Sequence, residues 1–171
     1  MYKTAKDALF HGITTVRTLG DISFDILEFR DKIRAGKLMG PRIFSAGKGI
    51  SAKGGHGSIF NLAVSSVEEA AQVTHQMIDK GVDLIKLIAT GGVTDAKTPD
   101  EAGKPQLSVE IMKEVCDIAH SHGLKVAAHC QSQKGVWNCI EAGVDSIEHG
   151  ADYDLPLIEK MRANKISIVP T

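Results

Sequence analysis

The chain has 171 residues, of which 43% are hydrophobic and 24% are charged, and its formal net charge is −1. This composition excludes a disordered chain, and the near-zero charge gives no reason to expect nucleic acid or an anionic membrane as a partner. No apolar run approaches the ~18 residues of a membrane span. The three cysteines lack metal-binding spacing, and their small, odd number indicates a reducing, cytoplasmic compartment. The length predicts one domain, residues 1–171.

In the first half of the chain, predicted helices alternate with predicted strands. An amphipathic helix within MYKTAKDALFHG leads to a strand in HGITTVRTL, a helix over residues 22–35, and a strand in PRIFSAG. A helix over residues 66–80 follows, because its apolar residues recur with the 3.6-residue helical period. Ser66 and Glu69 are spaced as a capping box for this helix. A strand in KGVDLIKLI comes next.

The second half repeats the same pattern. Helices are predicted over residues 108–122, 132–142 and 154–163, and strands in KVAAH (125–129), DSIEH (145–149) and KISIVPT. Four glycines stand where a helix end favours a left-handed residue, and we expect Asn164 to do the same at the last helix. They are Gly12, Gly81, Gly123 and Gly143.

Helix–strand alternation predicts a parallel sheet. No strand leads into a G-x-G-x-x-G or P-loop sequence, which disfavours a nucleotide-binding sheet. Polar residues instead gather at strand C-termini, namely Arg17, Lys86, His129, Glu148 and His149. In a (β/α)8 TIM barrel these ends converge on the catalytic face, so we favour an α/β barrel. Only about six strands are found, so the barrel is incomplete, and we expect a piece of a longer barrel or a homo-oligomer in which another copy completes it.

Lys86 lies in the middle of an apolar strand, where a charged ammonium is costly. Two histidines, His129 and His149, end the next two strands, and neutral imidazoles there suit Zn²⁺. Burial favours the neutral amine, which CO₂ can convert to a carbamate, an oxygen ligand able to bridge two metals. The residues alone leave two other readings of Lys86 open, a salt-bridged interior lysine and a Schiff-base nucleophile.

Other candidates have weaker signals. Glu148 is expected to point away from His149 as a structural carboxylate, and Cys130 to be a packing residue. The glycine-rich loop AKGGHGS carries His56, for which a substrate contact and an incidental turn histidine are both open readings. The long loop over residues 89–108 follows the lysine strand, so we expect a lid or a substrate-pocket wall.

Six segments together resemble a known family. GITTVRTLGD, GPRIFSAGKGISAKGGHG, DLIKLIATGGV, KVAAHCQSQKGV, GVDSIEHG and ISIVPT are similar to the amidohydrolase superfamily, in its imidazolonepropionase-like and Xaa-Pro dipeptidase (prolidase-type) branch. The resemblance implies a metal-dependent hydrolase barrel in which Lys86 is the carboxylated strand-four lysine. It makes Lys86, His129 and His149 both catalytic residues and metal ligands, and it places His56 at the substrate.

The resemblance implies cleavage of amide or peptide C–N bonds in small peptide-like or N-acyl amino acid molecules by a metal-activated hydroxide. Two divalent ions, Zn²⁺ in the first instance, would serve the complete enzyme. The family's strand-one His-x-His pair and strand-eight aspartate have no counterpart, because the observed strands correspond to two through seven. Two alternatives therefore stand beside this reading: a catalytically incomplete barrel piece that only self-associates, and a Schiff-base lyase using Lys86.

Overall fold

The computed structural model describes residues 1–150 and 152–171, in which helices and strands alternate. The helices are α1 (Tyr2–Phe10), α2 (Asp25–Arg34), α3 (Val67–Asp79), α4 (Pro99–Ala102), α5 (Val109–Ser121), α6 (Gln133–Ala142) and α7 (Leu155–Ala163). The strands are β1 (Thr15–Thr18), β2 (Arg42–Ser45), β3 (Gly49–Ala52), β4 (Asn61–Val64), β5 (Leu84–Ile88), β6 (Lys125–Cys130), β7 (Ser146–His149) and β8 (Ser167–Val169). None of the helices in these described ranges combines the length and apolar character required to cross a membrane.

Every pairing between the strands named above is parallel, and Thr90 and Pro105 form an isolated antiparallel bridge outside them. β1 pairs with β2, and a second sheet has the order β4-β3-β5-β6-β7-β8. The two sheets are linked because the Asp83 amide, just before β5, donates a 2.8 Å hydrogen bond to the Ser45 carbonyl at the end of β2. Neighbouring strands therefore follow the chain order β1, β2–β3, β5, β6, β7, β8, as they do in a TIM barrel. The short strands β3 and β4 were not predicted from the sequence.

Four helices begin at a side chain that caps them. Ser66, Ser108, Ser132 and Asp154 each accept a hydrogen bond from the backbone N–H three residues ahead. The predicted capping box differs in one detail. The Glu69 carboxylate reaches back to the Ser65 amide at 2.7 Å rather than to Ser66, so the box is one residue longer than the standard motif.

The predicted helix ends are confirmed at four glycines and wrong at Asn164. Gly12, Gly81, Gly123 and Gly143 have φ values of 84°, 77°, 73° and 88°. Asn164 has φ −94° and caps α7, and the left-handed residue is the next one, Lys165, with φ 57°. The left-handed residue at the end of α7 is the one that follows the cap. That position is a glycine after α1, α3 and α5, and it is Lys165 after α7.

The core has two parts because strand residues alternate between the two faces of the sheet. The larger part lies between strands and helices and includes Ile50, Ile85, Leu87, Val126 and Ile147 with Met77, Met112, Val115, Val136 and Leu157. The smaller part consists of Ala46, Leu84 and Ala127, with Leu19 packed against them. Leu84 and Lys86 are two residues apart in β5, so they share one face of the sheet, and Lys86 is on the side of the small inner core.

A Gly-Val-Asp sequence occurs twice, and each time its aspartate accepts a hydrogen bond from a backbone amide of the neighbouring strand. Asp83 accepts a 2.9 Å hydrogen bond from the Ser45 amide on the neighbouring strand and ion pairs with Arg30 and Arg34. Asp145 accepts one of the same length from the Val126 amide. Each aspartate thus joins the start of its own strand to the adjacent strand.

Candidate active site

Lys86 is buried in the middle of β5 with only 4% of its surface exposed. Burial lowers the pKa of Lys86 to about 8, although the nearby Glu148 carboxylate acts in the opposite direction. No hydrogen bond or ion pair to its amine occurs within residues 1–150 and 152–171. The site therefore holds a lysine that gives up its proton far more readily than a lysine in water.

His129 lies near the end of β6 and is buried as well. Its Nε2 is 3.1 Å from the Gly91 carbonyl, which can only accept, so the ring proton sits on Nε2 and the Nδ1 lone pair is available. Burial lowers the pKa of His129 to about 3. The imidazole is therefore neutral at physiological pH.

His149 is the last residue of β7, and its ring centroid is 4.7 Å from that of His129. Its φ is 71°, an unusual left-handed conformation for a residue other than glycine. This turn lets His149 line the same cavity as Glu148, although adjacent residues in a regular strand face opposite sides. The expectation that Glu148 points away from His149 is therefore wrong. Burial lowers the pKa of His149, and Thr171 Oγ1 lies 2.7 Å from its Nδ1.

Glu148 is held by an arginine from a strand of the other sheet. Arg17 on β1 binds both carboxylate oxygens, at 2.8 and 2.9 Å, and Ser146 donates a further hydrogen bond at 2.7 Å. The Glu148 side chain is 5% exposed, so this is a buried, fully paired carboxylate. Because Arg17 occupies Glu148, the carboxylate is not free to pair with the Lys86 ammonium.

His56 comes from the glycine-rich loop and stacks against His129 with ring centroids 4.4 Å apart. Its Nδ1 contacts the Asp95 carboxylate, and its backbone N–H donates to Gln106 at 2.9 Å. Sequence reasoning did not identify Asp95, which lies 39 residues away in a loop without periodicity. Only a structure could show that these two loops meet.

These side chains enclose a cavity of about 430 Å³. It is lined by Arg17, Lys86, His129, Glu148 and His149 from the strands and by His56, Phe60 and Asn61 from the loop side. A second cavity of about 310 Å³ lies between the two loops and shares His56 as a wall. The structure thus brings the four sequence-predicted site residues to one cavity.

The chemistry of the donors fits a divalent metal ion. Two neutral imidazoles and a readily deprotonated amine face one cavity, and the second ring nitrogen of His129 is held by a carbonyl, as is common for metal-bound histidines. Among the described residues no group of three or more His, Cys, Asp or Glu side chains could hold a metal. A complete ligand set here therefore requires the Lys86 side chain as an oxygen donor or ligands from outside these residues.

Comparison with known proteins gives a consistent result. The amidohydrolase family model matches residues 1–163. A candidate prolidase from Bifidobacterium longum superimposes with a TM-score of 0.85 and is 41% identical over 97% of this chain and 41% of its own. A Xaa-Pro dipeptidase with bound methionine in its active site has a TM-score of 0.89 and 36% identity over 98% of this chain and 45% of its own.

A curated relative points the same way. Ochratoxinase of Aspergillus niger is 27% identical over 96% of this chain and 38% of its own length. The chain thus spans about two fifths of the relatives it matches. These matches confirm the predicted TIM-barrel fold, of which the described strands form a part.

Proposed function

The chain belongs to the amidohydrolase family, and we propose that its site hydrolyses amide or peptide bonds of small peptide-like or N-acyl amino acid substrates with the help of divalent metal ions. One observation carries the proposal: the buried Lys86 amine has no partner among the described residues and shares a cavity with two neutral imidazoles. A structural lysine would be expected to have an ion-pair partner in such a place.

Lys86, His129 and His149 would hold the metal, Zn²⁺ in the first instance, with Lys86 acting as a carbamate formed with CO₂. A divalent ion at this place supplies a Lewis acid that acidifies water and polarises a carbonyl group. Carbamate formation consumes the neutral amine, and a lysine with a pKa of about 8 supplies that form near neutral pH. Burial lowers the pKa of both histidines, which favours the neutral rings whose lone pairs can bind a metal.

The other residues of the cavity prepare it for the substrate. Arg17 keeps the Glu148 carboxylate paired, so that Glu148 does not bind Lys86 as an ammonium. His56 stacks on His129 at the cavity wall and would contact the substrate beside the scissile bond. Phe60 adds an apolar surface on the loop side. Together they would form the walls of a pocket for a small molecule.

The size of the cavity and the nature of the relatives support the substrate class. About 430 Å³ is the volume of a site for a small ligand. One relative is a Xaa-Pro dipeptidase with bound methionine in the active site, and another is an ochratoxinase. A dipeptide or an N-acyl amino acid would fill such a cavity.

The test is turnover of a dipeptide and N-acyl amino acid panel by the Zn²⁺-loaded protein, together with zinc content by mass spectrometry. Lys86→Ala, His129→Ala and His149→Ala are expected to lose zinc and activity. His75→Ala is the matched control, because His75 is an exposed histidine on α3. Unchanged zinc content in all three site variants would show that the ligand assignment is wrong.

The same experiment separates the competing readings of the site. Borohydride trapping of a carbonyl substrate on Lys86, without stoichiometric zinc, would support a Schiff-base lyase. Absence of turnover and of zinc in the unmodified protein would support a catalytically incomplete barrel piece. Zinc-dependent turnover that disappears in Lys86→Ala supports the proposed hydrolase.

A further inference from the structure

The loop over residues 89–108 contacts His56 and its neighbour Gly57 at three points. Asp95 contacts the His56 ring at Nδ1, and its other oxygen accepts a 2.9 Å hydrogen bond from the Gly57 amide. Gln106, near the far end of the same loop, accepts a 2.9 Å hydrogen bond from the His56 amide. The ring and the backbone on both sides of it are therefore held by one loop.

Two glycines allow this close approach. A side-chain carbon at Gly92 would overlap the His56 ring, and one at Gly91 would overlap the Glu101 carbonyl. Gly91 also provides the carbonyl that binds His129 Nε2. The loop thus contacts two histidines of the candidate active site, one through a side chain and one through its backbone.

From these contacts we propose that Asp95 is a positioning residue: it accepts the Nδ1–H of His56 and the N–H of Gly57, and thereby holds the His56 ring against His129 at the wall of the cavity. This inference rests on the proposed hydrolase function for its catalytic consequence. The loop contact itself can be measured without any turnover.

A partner for Nδ1 matters because an imidazole ring has two possible orientations and two neutral tautomers. Without a partner at Nδ1, the ring can flip and either nitrogen can carry the proton. A carboxylate at Nδ1 selects the tautomer with the proton there and leaves Nε2 as an acceptor. The His56 side chain is 14% exposed and the Asp95 side chain 48%, so Asp95 approaches the more buried ring from the solvent side.

Nuclear magnetic resonance tests the placement directly. In protein labelled with ¹⁵N-histidine, we expect a downfield Nδ1–H resonance from His56 that disappears in His56→Ala and in Asp95→Ala. Asp100→Ala is the matched control, because Asp100 is an exposed acidic residue of the same loop, and it should keep the resonance. Persistence of the resonance in Asp95→Ala would overturn the proposal.

A double-mutant cycle tests the catalytic consequence in the Zn²⁺-loaded protein. Asp95→Ala is expected to lower kcat/KM by about 10- to 100-fold, as for other residues that orient a histidine of an active site. In a His56→Ala background the same change should cost less than about 2-fold, because Asp95 acts through His56. Losses that multiply would show that Asp95 acts by another route. If no preparation turns over any substrate, the proposed function fails, while the resonance experiment still decides the role of Asp95.

Discussion

Replacing Lys86 by methionine is expected to stabilise the metal-free protein at pH 7 while removing the proposed zinc site. Burial lowers the pKa of Lys86 from its ordinary value of 10.5 to about 8. Since a tenfold change in proton affinity is about 1.4 kcal/mol, the charged lysine costs the folded state about 3 kcal/mol. Methionine has a similar length, carries no charge and fills irregular space in a core. The free energy of unfolding should therefore rise by up to about 3 kcal/mol.

The pH dependence makes this prediction specific. Below pH 8 the lysine is protonated in both the folded and the unfolded chain, so the full cost is present. Between pH 8 and 10.5 only the unfolded chain holds the proton, so the stability of the unmodified protein rises with pH and the gap between the two proteins closes.

Urea unfolding of metal-free, CO₂-free protein, followed by circular dichroism at several pH values, measures the gap. Lys3→Met is the matched control, since Lys3 is exposed on α1, and it should change stability by less than about 0.5 kcal/mol. A Lys86→Met protein that is less stable than the unmodified one at pH 7 would refute the reasoning. That outcome would mean that the Lys86 ammonium is favourably paired in solution.

Three further predictions concern stability in urea unfolding. Burial lowers the pKa of His129 from 6.5 to about 3, so the unfolded chain binds the extra proton between these values, and acidification of the metal-free protein from pH 7 to 4 should cost about 3 kcal/mol. His129→Gln should flatten that slope, and an equal slope in the variant would contradict the assignment. Lys165→Gly should stabilise by about 1 kcal/mol, because glycine adopts the φ of 57° without strain, and no gain would show that the lysine is unstrained. Arg17→Met should destabilise by about 2 kcal/mol because it leaves Glu148 buried without its cation, and adding Glu148→Gln should recover part of the loss. Recovery would be absent if Arg17 acted only through packing.

The features that could be predicted from sequence are those set by local chemistry and by the order of parallel strands. The apolar run around Lys86 gave a strand buried on both faces, and the parallel order brings strand ends together at one rim. His129 and His149 on successive strands therefore had to lie close, and their ring centroids are 4.7 Å apart. Their role as metal ligands stays a prediction.

What could not be predicted depends on contacts between distant parts of the chain or on exceptional backbone angles. The left-handed backbone of His149 cancels the alternation that would have separated it from Glu148. Asp95 meets His56 across 39 residues through two loops without periodic pattern. Strands β3 and β4 are not directly preceded by an α-helix among the described residues, so they lie outside the helix–strand alternation that predicted the other strands. Their pairing comes from tertiary context.

The two Gly-Val-Asp aspartates both lie at the starts of their strands, at the end of the barrel opposite the cavity. Asp83 and Asp145 each hydrogen-bond to a backbone amide of the adjacent strand there. Lys86 and the histidines face the cavity at the other end of the strands. The order of the strands is thus stabilised by two side chains that do not line the cavity. Changes in the loops around the cavity can therefore alter its shape without breaking these contacts between the strands.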